Sequence, residues 1–181
     1  MFQKGYIYKG LKPVHWCTDC ETALAEAEIE YKDVDSNTAY VKFPVKDAKG
    51  LFNEENAYVV IWTTTPWTLP GNTMIAVGPE IEYAVVEANG EKLVFAKELV
   101  ESVMKLAGVE EYKVTQEFAG MNLDGVVCTH PFLDRESTVV CGSEDTVNVE
   151  LGTGTGCVHC APGYGKEDYL LGLKKHSDII V

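Results

Sequence analysis

Two segments of this chain carry side chains whose types and spacing could do chemistry. The first is Ile61-Trp62-Thr63-Thr64-Thr65-Pro66-Trp67-Thr68-Leu69-Pro70-Gly71-Asn72. Successive threonine hydroxyls can hold a water, a ribose or a carbonyl without adding charge, because each both donates and accepts. The second is Gly152-Thr153-Gly154-Thr155-Gly156-Cys157-Val158-His159-Cys160-Ala161-Pro162-Gly163-Tyr164-Gly165-Lys166-Glu167-Asp168. Its glycines let backbone amides approach a ligand closely, and Glu167 and Asp168 fall where a helix would begin. Each feature also has a plainer reading. Threonine favours strands and turns, acids at a helix start stabilise its dipole, and a lone histidine is more often a hydrogen-bonded structural residue than a catalyst.

The elements that must position these residues follow from the patterning. Short runs with β character are expected at 39–45, 57–63, 73–77, 82–88 and 91–96, the last two joined by Asn89-Gly90, a strong hairpin signal. From Lys97 the period changes. Leu99, Val100, Val103, Met104 and Ala107 lie at helical spacing, with Gly108 placed as the stop. Further strands are expected near 112–118, 126–130, 138–141 and 156–161, then a helix over 166–175. Many short strands with few helices predict a mainly β, α+β fold: a closed or nearly closed barrel with flanking helices. Residues 1–36 read as a strand-rich linker or ribbon around Cys17 and Cys20.

Composition narrows the function classes. With 181 residues, 46% hydrophobic and 24% charged, the chain can bury one sizeable core, so one main domain is the default. Met1 to Gly10 lacks the pattern of a signal peptide and no stretch is apolar enough to span a bilayer, which leads to the expectation of a soluble, cytoplasmic protein with no membrane partner. The six cysteines sit as Cys17-x-x-Cys20, single Cys128 and Cys141, and Cys157-x-x-Cys160, a distribution that suits reduced thiols or metal ligands better than disulfides. A formal charge of −13 with Arg135 as the single arginine disfavours a protein that grips polyanions by itself.

Taken together, the two segments resemble the connective-peptide editing domain of isoleucyl-tRNA synthetase. That family's threonine-rich peptide reads Trp-Thr-Thr-Thr-Pro-Trp-Thr-Leu-Pro-x-Asn, and its distal motif reads Gly-Thr-Gly-x-Val-His-x-Ala-Pro-Gly-x-Gly-x-x-Asp. Trp16-Cys17-Thr18-Asp19-Cys20, followed by Ala23 to Glu28, looks like the segment leading into this domain in bacterial members. Valyl and leucyl relatives usually carry an arginine where Thr65 stands. One departure is visible: the commoner Gly-His-Gly-x-Asp-Asp ending appears here as Gly163-Tyr164-Gly165-Lys166-Glu167-Asp168. The His-x-Gly-His and Lys-Met-Ser-Lys-Ser signatures of the ATP-binding catalytic core are not in this sequence, so the chain looks like an excised domain.

The resemblance implies hydrolysis of valine mischarged on tRNA(Ile), after transfer and also on the adenylate before it, without ATP-dependent charging by this chain. Residues 1–36 would lead toward the synthetase core and 37–181 would edit. Asp168 would bind the α-ammonium; Thr63, Thr64, Thr65 and Asn72 would surround the ester and terminal adenosine. His159 would wall off the larger side chain and help place water. Thr68, Gly163 and Tyr164 join the expected binding set, as does Trp67, which is expected to pack beneath the loop rather than stack on a base. The partners would be the valine-bearing 3′ end of tRNA(Ile) and the remainder of the synthetase chain. Editing would need no cofactor and no metal. In some members a pair equivalent to Cys17 and Cys20 joins cysteines outside the domain to hold zinc, which makes that pair the candidate zinc ligands of a full-length enzyme.

Rival readings remain open at this level. Both Cys-x-x-Cys pairs together would make a tetrahedral zinc site. Cys157 or Cys160 with His159 would make a thiol hydrolase, against which stands the opposite facing of neighbouring strand residues. The glycine-rich run as a nucleotide cradle is a weak signal, and a zinc deaminase lacks its His-x-Glu. A binding module for tRNA or protein would associate without cleaving an ester.

Overall fold

A computed structural model describes residues 1–180. The strands among them are β1 (His15–Cys17), β2 (Thr22–Leu24), β3 (Ala39–Asp47), β4 (Ala57–Thr63), β5 (Met74–Val77), β6 (Glu82–Ala88), β7 (Glu91–Ala96), β8 (Lys113–Ala119), β9 (Val127–Thr129), β10 (Glu136–Cys141) and β11 (Cys157–Cys160). Helix α1 spans Val100–Leu106 and α2 spans Lys166–Lys175.

Six strands close on themselves in the order β11-β5-β10-β9-β3-β4, with Val158 of β11 meeting Trp62 of β4 to complete the ring. Closure removes the unpaired sheet edges that would otherwise be exposed. Strand β4 forks. Its first residues, Ala57 to Val59, pair in parallel with β7, while Trp62 pairs with β11. Strands β7, β6 and β8 therefore run on from the barrel as a three-stranded flap. Asn89 and Gly90 turn the β6–β7 hairpin with φ of 51° and 80°, the positive pair that a type I′ turn requires and that Asn-Gly tolerates.

The main core fills the barrel and the space under α1, with Phe43, Ile61, Ile75, Tyr83, Phe95 and Met104 fully buried. Strand β5 is buried on both faces. Ile75 and Val77 point to this core, whereas Met74 and Ala76 join Val140, Cys160 and Leu171 of α2 in a second, smaller one. An uninterrupted apolar run such as Met74–Val77 is what burial on both faces demands. Helix α1 is shorter than its periodicity predicts because a 3-10 turn, Lys97–Leu99, occupies its start. Gly108, with φ of 67°, ends it, and the Val109 N–H donates to the Met104 carbonyl.

The N-terminal Cys17 and Cys20 lie on the β1–β2 hairpin, where His15 pairs with Leu24. No residue before Phe43 is buried. One polar contact from this part reaches the barrel rim: the Ser36 hydroxyl donates to the Thr64 carbonyl at 2.9 Å.

Candidate active site

The side-chain row of β4 sets the position of the threonines. Val59 and Ile61 point into the barrel, and the two-residue period brings Thr63, 7% exposed, to the same face at the barrel's mouth. From there the chain turns back on its own hydroxyls. The Thr65 N–H donates to Thr63 Oγ1 at 3.1 Å, and the two hydroxyls lie 3.3 Å apart. Pro66 starts a 3-10 turn through Gly71, and Thr68 Oγ1 donates back to the Thr65 carbonyl at 2.8 Å. Two residues from the β9–β10 loop brace this turn from behind. His130 Nε2 donates to the Leu69 carbonyl at 2.8 Å, and the Arg135 guanidinium donates to the Pro70 carbonyl. The chain's one arginine thus holds a loop rather than a phosphate.

His159 on β11 is fixed by both ring nitrogens. The Asn72 side-chain amide nitrogen lies 2.8 Å from the Met74 carbonyl, which can only accept, so the amide orientation is set. The same NH2 group faces His159 Nδ1 at 2.9 Å. Nδ1 must then be the unprotonated nitrogen, and Nε2 carries the proton it donates to Thr68 Oγ1 at 2.8 Å. The chain of bonds runs Asn72 to His159 to Thr68 to the Thr65 carbonyl. Burial first, and the nearby charge of His130 second, pull the His159 pKa down from 6.5 to about 4. The ring is neutral at physiological pH and has no free nitrogen to act as a base.

Asp168 stands in the first turn of α2. Three contacts seat that helix: Leu171 is buried, Gly172 lies against the Pro162 ring, and Lys175 Nζ meets the Asp124 carboxylate at 3.0 Å. Asp168 Oδ2 accepts the Ala161 N–H at 2.8 Å. Oδ1 has no hydrogen-bond partner among the described residues. Burial raises its pKa above the ordinary carboxylate value, opposed by the Ala161 N–H and reinforced by Glu167. A half-buried carboxylate with one oxygen unengaged is suited to a cationic ligand, which would restore the charge that burial disfavours.

These groups converge on one cleft of about 490 Å³. Thr63, Thr64, Thr65 and Thr68 line it together with His159, Tyr164 and Asp168. Some expected residues are placed differently. Asn72 is fully buried and acts on His159 from behind instead of facing a ligand. Gly163 is not among the lining residues, whereas Gly165 is. The expectation that Trp67 packs beneath the loop is corrected: its ring is 67% exposed at the cleft.

Trp62, His130 and Ser36 were not singled out by sequence reasoning, and Arg135 entered it only as the single arginine. Trp62 lay within the threonine-rich motif, but only the closure of β4 onto β11 gives it a cleft position. His130 and Arg135 act on residues 61 and 65 positions away, and no local pattern announces such a contact.

The thiols fall outside the chemistry. Cys157 and Cys160 are buried, and burial raises both well above the ordinary thiol pKa. Cys160 also lies on the opposite face of β11 from His159. Cys17 and Cys20 are in the separate hairpin, and among the described residues no group of three or more His, Cys, Asp or Glu side chains is arranged to hold a metal ion. No described helix is long and apolar enough to cross a membrane.

The neutrality of His159 has a consequence for stability. A base whose folded pKa lies below its unfolded value stabilises the fold fully above the unfolded value, and that contribution is lost as pH falls toward the folded one. Between pH 6.5 and about 4 the fold should therefore lose on the order of 3 kcal/mol from this ring. Denaturant unfolding across that range should show the decline in the wild type and a clearly shallower one in His159→Gln; equal slopes would contradict it.

Comparison with known proteins places these observations in a family. Residues 1–137 match the model of the class I tRNA synthetases (I, L, M and V). The chain is 54% identical over 180 residues to the isoleucine–tRNA ligase of Moorella thermoacetica, covering 99% of this chain and 19% of that protein. With the same enzyme of Desulforamulus reducens it shares 55% identity over 175 residues, 96% of this chain and 18% of the relative. It spans about a fifth of the length of these curated relatives. The P. knowlesi cytosolic leucyl-tRNA synthetase editing domain superposes with a TM-score of 0.62 at 13% identity, over 81% of this chain and 67% of that one. The corresponding P. falciparum domain gives 0.60 at 12% identity, over 77% and 66%. At such identities the likeness is one of fold.

Proposed function

The chain belongs to the class I tRNA synthetases, and on that premise we propose that it is a proofreading module which hydrolyses the ester between tRNA(Ile) and a wrongly attached valine. The observation that carries this reading is the meeting of four threonine hydroxyls, a neutral histidine and a single carboxylate in one cleft. Asp168 takes the α-ammonium through Oδ1, a charge-assisted contact that fixes the acyl group. Thr63, Thr64 and Thr65 face the ester and the terminal ribose. His159, locked by Asn72 and Thr68, is the wall against a bulkier side chain.

Such a second site is needed because one missing methylene in an apolar pocket is worth only about 1–3 kcal/mol, a general limit for which isoleucine and valine are the standard illustration and not a value derived from this chain. No side chain in the cleft stands free as a strong base. Asp168 is engaged with the ammonium and both His159 nitrogens are bonded. Catalysis therefore rests on holding a water beside an already activated ester. The water oxygen bonds to the carbonyl carbon, the bond to the ribose oxygen breaks, and the proton lost by water passes to that oxygen with help from the neighbouring ribose hydroxyl. Valine and tRNA with a free 3′ end are released. Valyl-adenylate fits the same ammonium and carbonyl contacts and is a second substrate of the reading.

The remainder of the synthetase supplies what this chain lacks. Its net charge of −13 disfavours a grip on the tRNA body by this chain alone. The exposed Phe2, Tyr6, Tyr8 and Trp16 of the N-terminal part offer apolar area to that partner. Zinc in the full-length enzyme would be bound through Cys17 and Cys20; Cys17 Sγ already accepts the Cys20 N–H at 3.2 Å, as a thiolate ligand would. Incubating the chain in parallel with Val-tRNA(Ile) and Ile-tRNA(Ile) should release valine at least tenfold faster than isoleucine. Equal release of both, or of neither, would contradict size-selective editing.

A further inference from the structure

We infer that Arg135 and His130 are positioning residues that set, from behind the threonine turn, the orientation of His159 and with it the discrimination between valine and isoleucine. The inference rests on the editing reading and concerns two side chains that do not themselves line the cleft.

Both ring partners of His159 come from one short stretch of chain. Thr68 Oγ1 meets Nε2 at 2.8 Å, and the Asn72 amide meets Nδ1 at 2.9 Å. The turn that carries them lacks two backbone donors, because Pro66 and Pro70 have no N–H. Two carbonyls between Thr68 and Asn72 instead receive donors from the loop joining β9 to β10. His130 Nε2 reaches the Leu69 carbonyl at 2.8 Å, and the Arg135 guanidinium reaches that of Pro70. A shift of these carbonyls would carry both partners of the His159 ring with it.

The loop that supplies the donors is stiff. It closes on itself, with the His130 N–H donating to the Arg135 carbonyl and the Arg135 N–H to the Leu133 carbonyl, each at 2.9 Å. The buried His130 ring stands edge-on to Phe43 of the barrel core at 5.7 Å and to Phe132 at 4.5 Å. Arg135 Nε is buried with no hydrogen-bond partner among the described residues. An unsatisfied buried donor costs stability, and the charge-assisted bond to the Pro70 carbonyl offsets that cost.

His159 is the wall against the bulkier side chain, so the angle of its ring sets the room left for the acyl group. One methylene changes discrimination by only about 10–200-fold, a margin that a small tilt of the ring removes. Asp168 is seated separately, by the Ala161 N–H. Loss of the clamp therefore admits isoleucine without releasing the α-ammonium.

The test reads selectivity and the His159 ring side by side. Arg135→Met and His130→Phe remove the donors and keep the packing of the stem and of the ring. Each should lower the ratio of valine to isoleucine release from Val-tRNA(Ile) and Ile-tRNA(Ile) about tenfold, chiefly through faster loss of isoleucine, while valine release changes less than about threefold. Arg135→Lys, which keeps a cation able to reach the Pro70 carbonyl, should restore most of the ratio. Val85→Ala, which opens a cavity under β6 away from the turn, controls for destabilisation and should leave the ratio as in the wild type. The ring-nitrogen NMR signals of His159, assigned by their absence in His159→Gln, should lie far apart in the wild type, as for a single Nε2–H tautomer, and draw together in Arg135→Met and His130→Phe. The inference stands only if ratio and signals change together; either one unchanged in both variants would overturn it with ester hydrolysis left intact. An equal fall of the ratio in Val85→Ala would overturn it as well, by making the effect one of general stability. A wild-type chain that releases neither amino acid would refute the editing reading, and the His159 signals alone would then decide whether the clamp orients the ring.

Discussion

Asp168→Asn is expected to slow release of valine from Val-tRNA(Ile) by about 10²–10³-fold while the chain stays folded. Asparagine keeps the shape of the side chain, and its oxygen can still accept the Ala161 N–H that Oδ2 accepts now. What disappears is the negative charge facing the α-ammonium. Removing one partner of a partly buried charge pair costs about 2–5 kcal/mol, much of it the cost of leaving the other ion unpaired, and each 1.36 kcal/mol is tenfold in rate. Single-turnover deacylation read beside thermal unfolding separates the effects: Tm should move little, because the ionised carboxylate is disfavoured by burial to begin with. A variant retaining a third or more of the wild-type rate would sink the assigned role. The acid limb of kcat/KM gives an independent check. The Asp168 pKa is raised by burial, so the free enzyme loses this charge at a higher pH than an exposed aspartate would, and activity should fall on acidification before a typical exposed aspartate protonates.

A large loss of stability is expected for Gly156→Ala, roughly 3–4 kcal/mol, or a fall in Tm of about 10 °C for a chain of this size. Gly156 has φ of 71°, a left-handed conformation that a side chain strains. A Cβ there would lie 2.5 Å from the Ala96 Cβ, a methyl fixed directly to the end of β7 with no rotamer to move aside, so the segment must shift. The shift would break a buried bond, because the Tyr83 hydroxyl donates to the Gly156 carbonyl while accepting the Gly78 N–H. Gly156 immediately precedes β11, which carries His159, so deacylation should fall along with stability. Chemical denaturation measures the first effect, and activity at low temperature the second. A midpoint within about 2 °C of wild type would show that the loop relaxes freely, contrary to the packing described.

Much of the fold was legible in the residues. The Asn89-Gly90 hairpin, the limits of β4, β6 and β7, and the span of α2 match the sequence expectation because each depends on a local cause: positive φ at a turn, a period of two, or charged ends on a helix. The start of α1 was not legible, since periodicity cannot distinguish a 3-10 turn at 97–99 from the first turn of an α-helix. The barrel was expected from strand number and spacing, but the forked β4 was not. Whether a strand pairs at its first half with β7 and at its last residues with β11 depends on partners about 30 to 100 positions away.

At the candidate site the same division holds. Side-chain chemistry is intrinsic to residue type, so the sequence alone determined that threonine hydroxyls, one histidine and one carboxylate were available, that net charge disfavoured a phosphate grip, and that their motifs resembled an editing domain. Roles depend on what lies beside each atom, and only the tertiary structure decided those. It turned Asn72 from a ligand-facing residue into the group that fixes the His159 tautomer, brought Trp67 out from beneath its loop, and assigned Arg135 to a backbone carbonyl. The reason is physical: burial, hydrogen-bond direction and pKa are set by neighbours that the folded chain brings together from distant positions, and no local window of sequence contains them.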